Sequence, residues 1–323
     1  MNPPPDTTRA LLATARVANI PSVVSNVWLG IAMGLVLASF DIDWRGVGGV
    51  HLLNAGILVL SGLSLYVSGN FLNDWKDRDW DALHRPERAL PSGLFKPGAY
   101  LRAAVVAAMM GLGLALCVSW GSGVVSLGII ACILIYTIWH KQKAWSVVFM
   151  GLCRGLLPVL GASGMIRPGS FVPTLQLAGC GGCALCCYIA GLSLSARSES
   201  HGVCAQETRL LSRILLVLPV LLMLLPFALS ERHSWLLFIA PLTYFGWLGL
   251  CLGRFGKPVS RHVSALLAGI PLVDWIFLLP VFVAPLNWQT PPFQFDCLSV
   301  ASAVIPPVAF VSALLLQRLA PAT

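Results

Sequence analysis

The chain of 323 residues is 57% hydrophobic and only 11% charged, against about 25% charged residues in a soluble domain. One water-soluble core cannot bury that much apolar surface, which excludes a soluble globular enzyme. The formal net charge of +8 arises from basic residues between apolar runs. It reads as membrane topology and contact with anionic headgroups, and nucleic-acid binding is a poor explanation for it.

Met1-Asn-Pro-Pro-Pro-Asp6 has no basic stretch leading into a short apolar core, so no cleaved signal is expected. Residues 1–20 are read as a cytoplasmic N-terminal segment and 21–323 as a single multi-span membrane domain. Apolar runs of about 20 residues edged by Gly, Pro or charge mark candidate spans. They predict spans at 21–40, 51–72, 99–119, 122–139, 145–165, 172–194, 210–229, 235–253, 263–284 and 297–317. The expected fold is all-α, a polytopic membrane helix bundle. No tandem repeat of fixed period is visible. Asn26, in the first span, reads as helix-packing glue more than as a substrate contact.

The second span runs into Asn70-Phe-Leu-Asn73-Asp74-Trp-Lys-Asp77-Arg-Asp79-Trp-Asp81. At about 100° per residue, Asn70, Asp74, Asp77 and Asp81 fall at roughly 0°, 40°, 340° and 20°, one face of one helix. Carboxylates stacked in this way repel unless something cationic lies among them. A hard divalent ion that prefers oxygen ligands, Mg²⁺ above all, fits best, with Asp74, Asp77 and Asp81 as its ligands. The bland alternative is a solvated acidic helix end.

Further along, Lys141 and Lys143 border the end of the fourth span, with Tyr136 about one turn before. They can neutralise a diphosphate, but topology alone would place lysines there. Arg154 and Asp274 lie at similar depth in the fifth and ninth spans, either as a cavity-wall pair that tunes substrate binding or as structural glue. Cys180, Cys183, Cys186 and Cys187 sit in an apolar, Gly-rich span without a nearby histidine. Close helix packing explains them better than zinc. Cys204 is expected as a free thiol in a cytoplasmic loop.

With a cytoplasmic N-terminus, 17 of the 21 Lys and Arg residues fall on that side. Arg45, Arg167 and Arg232 fall on the other, and Arg154 lies within a span. The asymmetry places the acidic stripe at the cytoplasmic face.

Asn73-Asp74-x-x-Asp77-x-x-x-Asp81 followed by Arg85-Pro86-x-Arg88-x-x-Pro91-Ser92-Gly93 resembles the first signature of the UbiA superfamily of intramembrane prenyltransferases. The likeness extends over about residues 16–285, with the tenth span an addition to a nine-helix core. It implies an integral protein of a bacterial plasma membrane. The activity implied is transfer of a prenyl chain from an isoprenyl diphosphate to an aromatic or other small acceptor. It also implies Mg²⁺ held by Asp74, Asp77 and Asp81, with Asn70, Asn73, Arg85 and Arg88 beside the substrate. The family's second motif, Asp-x-x-x-Asp, is altered here to Ser195-Ala-Arg197-Ser-Glu199. Tyr188, Ser195 and Glu199 still share a helix face, at roughly 0°, 340° and 20°. Arg197 can meet a phosphate bidentately in place of a second metal. Catalysis by Glu199 and Arg197 at an altered second site is one reading, and loss of activity is the other. The variant motif is similar to that of the UbiA-like branch encoded in the ebo metabolite clusters, whose members are associated with small secondary metabolites. The rival from another class is a non-catalytic membrane protein that binds or transports a lipid or secondary metabolite. Transporters place their sites near midplane on broken helices, often with repeats. The acidic cluster here is at a helix end, which favours the enzyme.

Overall fold

The computed structural model describes residues 7–39, 49–166, 171–200, 206–228, 235–283 and 297–318, and among these the side chains of 36–39, 49–50, 197–200, 206, 224–228, 235–236, 280–283 and 297–299 lie outside the described set. A short helix α1 (Thr7–Thr14) and a 3-10 turn (Val17–Asn19) lead into α2 (Ile20–Ser39), α3 (Gly49–His84), α4 (Pro97–Val118) and α5 (Trp120–Trp139). Then come α6 (Ser146–Ser163), α7 (Phe171–Ser200), α8 (Gln206–Ala228), a second 3-10 turn (Trp235–Phe238) and α9 (Ile239–Leu252). The chain closes with α10 (Val259–Ala268), α11 (Ile270–Val283) and α12 (Cys297–Leu316). No strand occurs among the described residues. Seven helical stretches among the described residues are long and apolar enough to cross a membrane, and α9 and α12 supply shorter apolar helices. The chain is an all-helical membrane bundle.

Two of the sequence boundaries move. The second predicted span ends at 72, but α3 continues to His84, about 18 Å further at 1.5 Å per residue. The acidic stripe therefore rides on the spanning helix itself. The ninth predicted span is two helices, α10 and α11, parted at Gly269. Pro271 has no N–H to offer the preceding turn. The carbonyls of Ala265 and Leu266 accept side-chain bonds from Trp247 Nε1 (3.0 Å) and the Tyr188 hydroxyl (2.7 Å).

Without water, helices in hydrocarbon are held by close packing and by polar bonds that satisfy every buried group. A Cβ on Gly161 would stand 2.1 Å from the Val27 carbonyl oxygen, and one on Gly30 would stand 1.7 Å from that of Pro158. Hence α2 and α6 touch backbone to backbone. Serine hydroxyls staple neighbouring helices: Ser61 donates to the Gly111 carbonyl (2.7 Å) and Ser68 to that of Ala104 (2.8 Å), both from α3 to α4. Asn26 is the hub of a buried bridge. Its Nδ2 donates to Asp274 (2.8 Å) on α11, and its Oδ1 accepts from Arg154 Nη1 (3.1 Å) on α6. Arg154 and Asp274 are thus coupled through an amide without direct contact.

Two apolar cores result. One gathers α7 to α11 around Tyr188, Leu266 and Ile276, and the other gathers α3, α5 and α6 around Leu65, Ile133 and Leu157. Residues of α2 belong to both. A cavity remains at the seam between them.

Gly161→Leu is expected to destabilise the protein by about 1–3 kcal/mol or more through overpacking. Gly113→Ala, where a Cβ would meet nothing within 4 Å, should be neutral or slightly stabilising. Thermal unfolding in detergent compares them, and equal midpoints would remove the backbone seam from the account of stability.

Candidate active site

The last three turns of α3 carry the stripe at the end of the bundle where α1 and the first residues of α4 also lie. Asp77 and Asp81 are buried, whereas Asp79, half a turn round, has an 84% exposed side chain. Every stripe carboxylate is matched by a cation of the chain. Arg88 Nη1 donates to Asp81 Oδ2 at 2.9 Å and lies 3.7 Å from Asp74. Arg16 Nη2 lies 3.6 Å from Asp74. Lys141 Nζ reaches Asp77 at 2.8 Å, and His140 Nε2 reaches it at 3.1 Å.

Each partner has a local reason to be there. The connection after α3 folds back through turns closed by bonds from the Arg88 N–H to Arg85 and from Ser92 to Arg88, with Gly93 at φ 75°. Only glycine adopts that angle freely. His140 and Lys141 follow the C-terminus of α5, where the helix dipole favours positive charge. Arg16 has a left-handed backbone, φ 47° and ψ 52°, a sparsely populated conformation that persists where surrounding contacts impose it. Its carbonyl accepts from the Tyr66 hydroxyl (3.2 Å), and the neighbouring Ala15 carbonyl accepts from Asn70 Nδ2 (3.2 Å).

Beneath this layer lies a cavity of about 400 Å³. Its mouth is formed by Arg16, Asn70, Asn73, Arg85 and Arg88, and its depth by apolar side chains such as Leu65, Ile133, Leu157 and Leu192. Tyr66 and Tyr136 are the aromatic walls, and the Arg154 guanidinium lies 4.9 Å over the Tyr66 ring. The three aspartates do not line the cavity. Asp74 and Asp81 stand one layer back against Arg16 and Arg88, which do, while Asp77 is held by Lys141 and His140.

The oxygens suited to a hard cation are specific. Asn73 Oδ1 and Asp74 Oδ1 are buried without a hydrogen-bond partner, a costly state for an acceptor. Among the described residues no group of three or more His, Cys, Asp or Glu is arranged to hold a metal by itself. Mg²⁺ usually takes one or two protein oxygens and completes its shell with water and substrate phosphate, so this donor pair fits it. The expectation that something cationic lies among the stripe carboxylates is met in the folded chain by Arg16, Arg88 and Lys141, which distant segments bring onto it.

The other candidates separate. Arg154 lines the cavity, while Asp274 is fully buried behind it. Tyr188 is packed in the core with its hydroxyl bound to Leu266. Ser195 bonds His262 at 2.9 Å, away from the cavity that its neighbour Ala196 lines. Lys141 joins the stripe, while Lys143 is exposed beyond it. The side chains of Arg197 and Glu199 lie outside the described set, as does Cys204. Sequence reasoning missed Arg16, His140 and Tyr66 as site residues. His140 was within reach, adjoining Lys141, but Arg16 carries no local signal.

The profile of the UbiA prenyltransferase family matches residues 27–268. A protoheme IX farnesyltransferase of Symbiobacterium thermophilum is 28% identical over 134 residues, 40% of this chain and 45% of that protein. One of Archaeoglobus fulgidus is 34% identical over 131 residues, 37% of this chain and 46% of that protein. The chain spans about half the length of the curated relatives it matches. A solved structure concerned with digeranylgeranylglyceryl phosphate synthase superposes with a TM-score of 0.58 at 19% identity, covering 86% of this chain and 98% of that one.

Arg88→Gln is expected to cost about 1.5–3 kcal/mol of stability, the range for a hydrogen bond to a charged group. Arg78→Gln, which releases exposed Asp79 and a bond to the carbonyl of Trp75 one turn before, should cost less than about 1 kcal/mol. Unfolding midpoints of the two variants check this, and a larger loss for Arg78→Gln would contradict the stripe's charge pairing.

Proposed function

The chain belongs to the UbiA prenyltransferase family, and from that premise we propose that it transfers a prenyl group from an isoprenyl diphosphate to a small, aromatic or other, acceptor. One observation carries this reading: a single cavity joins a mouth of guanidinium and amide groups to an apolar, tyrosine-walled interior. A prenyl diphosphate has the same division, a strongly anionic head and a hydrocarbon tail. The curated relatives' names, farnesyltransferases, support a prenyl donor.

In this mechanism Arg16, Arg85 and Arg88 bind the diphosphate oxygens by charge-assisted bonds. Asp74 and Asp81 hold Arg16 and Arg88 in place for that contact. Asn73 Oδ1 and Asp74 Oδ1 would hold Mg²⁺, which when bound neutralises charge on the departing diphosphate. The apolar wall excludes water, so the electron-poor prenyl carbon meets the acceptor instead of being hydrolysed. Tyr66 and Tyr136 offer ring faces to that positive charge. Arg154, with Nη1 engaged by Ser22 and Asn26, turns its remaining donors to an oxygen of the acceptor. Arg197 and Glu199 are assigned to the same reaction by the altered second motif that they form at the end of α7. The mouth faces the cytoplasm, in keeping with the distribution of 17 of the 21 basic residues.

Binding and transfer of labelled geranyl diphosphate with and without Mg²⁺ tests the proposal. Asp74→Ala should weaken Mg²⁺-dependent binding by roughly 10–100-fold, while Asp79→Ala should stay within about twofold. Equal losses would remove the stripe from the mechanism. At the second motif, Arg197→Ala should weaken donor binding by about 1.5–3 kcal/mol, and Glu199→Gln should slow turnover more than Glu199→Asp. A protein that binds no prenyl diphosphate with Mg²⁺ present, and tolerates both second-motif changes, is not a transferase of this kind.

A further inference from the structure

A second pocket opens at the same end of the bundle, between the end of α7, the start of α8 and the turn from α9 to α10. Its volume is about 1120 Å³. Arg209 and Arg213 reach it from α8, and Arg254 and Lys257 from the α9–α10 turn. All four are exposed. No acidic side chain among the described residues lines the pocket, and none of the four takes part in an ion pair among the described residues. Arg209 and Arg213, four residues apart on α8, are a repelling pair on one helix face. The contrast with the acidic stripe is direct: there the chain supplies a counter-charge for each carboxylate, and here none is supplied among the described residues.

The back wall separates this pocket from the central cavity. His262 is 2% exposed, and its Nδ1–H donates to the Cys251 carbonyl oxygen at 3.0 Å. A carbonyl can only accept, so Nδ1 carries a proton there, and Nε2 meets the Ser195 hydroxyl at 2.9 Å. Ser195 and His262 line the pocket, while their chain neighbours Ala196 and Val263 line the cavity. The two spaces therefore lie on opposite sides of the α7–α10 contact. The first turn of α10 opens at Val259 on the pocket wall, adding the positive end of a helix to the four cations.

We infer that this pocket binds the phosphate group of an anionic ligand, at a site separate from the donor cavity. Phosphate is the anion that guanidinium forks and an ammonium group recognise best. It arrives either on a lipid headgroup at the membrane surface or free from the aqueous side, and the volume admits both.

The test uses the full chain in phosphatidylcholine nanodiscs. One arm adds phosphatidylglycerol and counts retained lipid by native mass spectrometry. The other adds inorganic pyrophosphate in EDTA and measures binding by calorimetry. The pocket variant is Arg213→Gln with Lys257→Gln, and the matched control is Lys96→Gln with Arg102→Gln, exposed cations beside the start of α4. Arg254→Gln serves as a second pocket variant should the double change impair folding. The pocket variant should lose affinity for at least one probe by about tenfold or more, with the control within about twofold. Loss for phosphatidylglycerol identifies a headgroup site, and loss for pyrophosphate a soluble-phosphate site. Equal losses in pocket and control variants would reduce the effect to diffuse surface charge and overturn the inference, as would wild-type protein that binds neither probe.

Discussion

Three carboxylates stacked on one helix face at a membrane boundary repel one another in a medium that screens poorly. The fold meets this constraint by delivering a positive partner to each from a separate part of the chain. Arg88 comes from the loop after α3, Lys141 from the end of α5, where the His140 ring adds a hydrogen bond, and Arg16 from the turn after α1. Much of the architecture at this end of the bundle serves that arrangement. The left-handed backbone at Arg16, the glycine turn at Gly93 and the docking of α1 against α3 each bring a cation to its acid. As a result the cavity mouth is lined by arginine and asparagine, with the acids one layer back.

A second constraint acts within the apolar layer. An uncompensated charge there is costly, and Arg154 and Asp274 are tolerated because Asn26 and Ser25 bond them. That bridge ties α2, α6 and α11 together at the depth where the cavity ends. Backbone contact at Gly30 and Gly161 lets α2 and α6 approach closely enough for the Asn26 amide to reach Arg154. Packing and polar satisfaction are thus one device. The same bridge leaves part of the Arg154 guanidinium for the cavity.

Apolar run length located the long spanning helices, since crossing hydrocarbon is a demand on consecutive residues. The 3.6-residue period put Asp74, Asp77 and Asp81 on one face and Asp79 on the other for the same local reason. Where the structure adds to that reading, contacts distant in sequence take part. A continuous apolar run at 263–284 hid the break at Gly269, which depends on Pro271 and on bonds from Tyr188 and Trp247. Tyr188 shares a face with Ser195 in helical projection, yet its hydroxyl is occupied at Leu266.

The sequence by itself determined the membrane class, the helical period, the acidic face and the family signature, all properties of neighbours along the chain. Tertiary structure alone decided which cations neutralise that face, that Asn73 and Asp74 each keep an oxygen without a hydrogen bond, and that four basic side chains share a pocket with no acid among the described residues lining it. Those outcomes depend on which segments meet across the bundle. Coulomb attraction and hydrogen bonding act through space, so separation along the chain does not encode them.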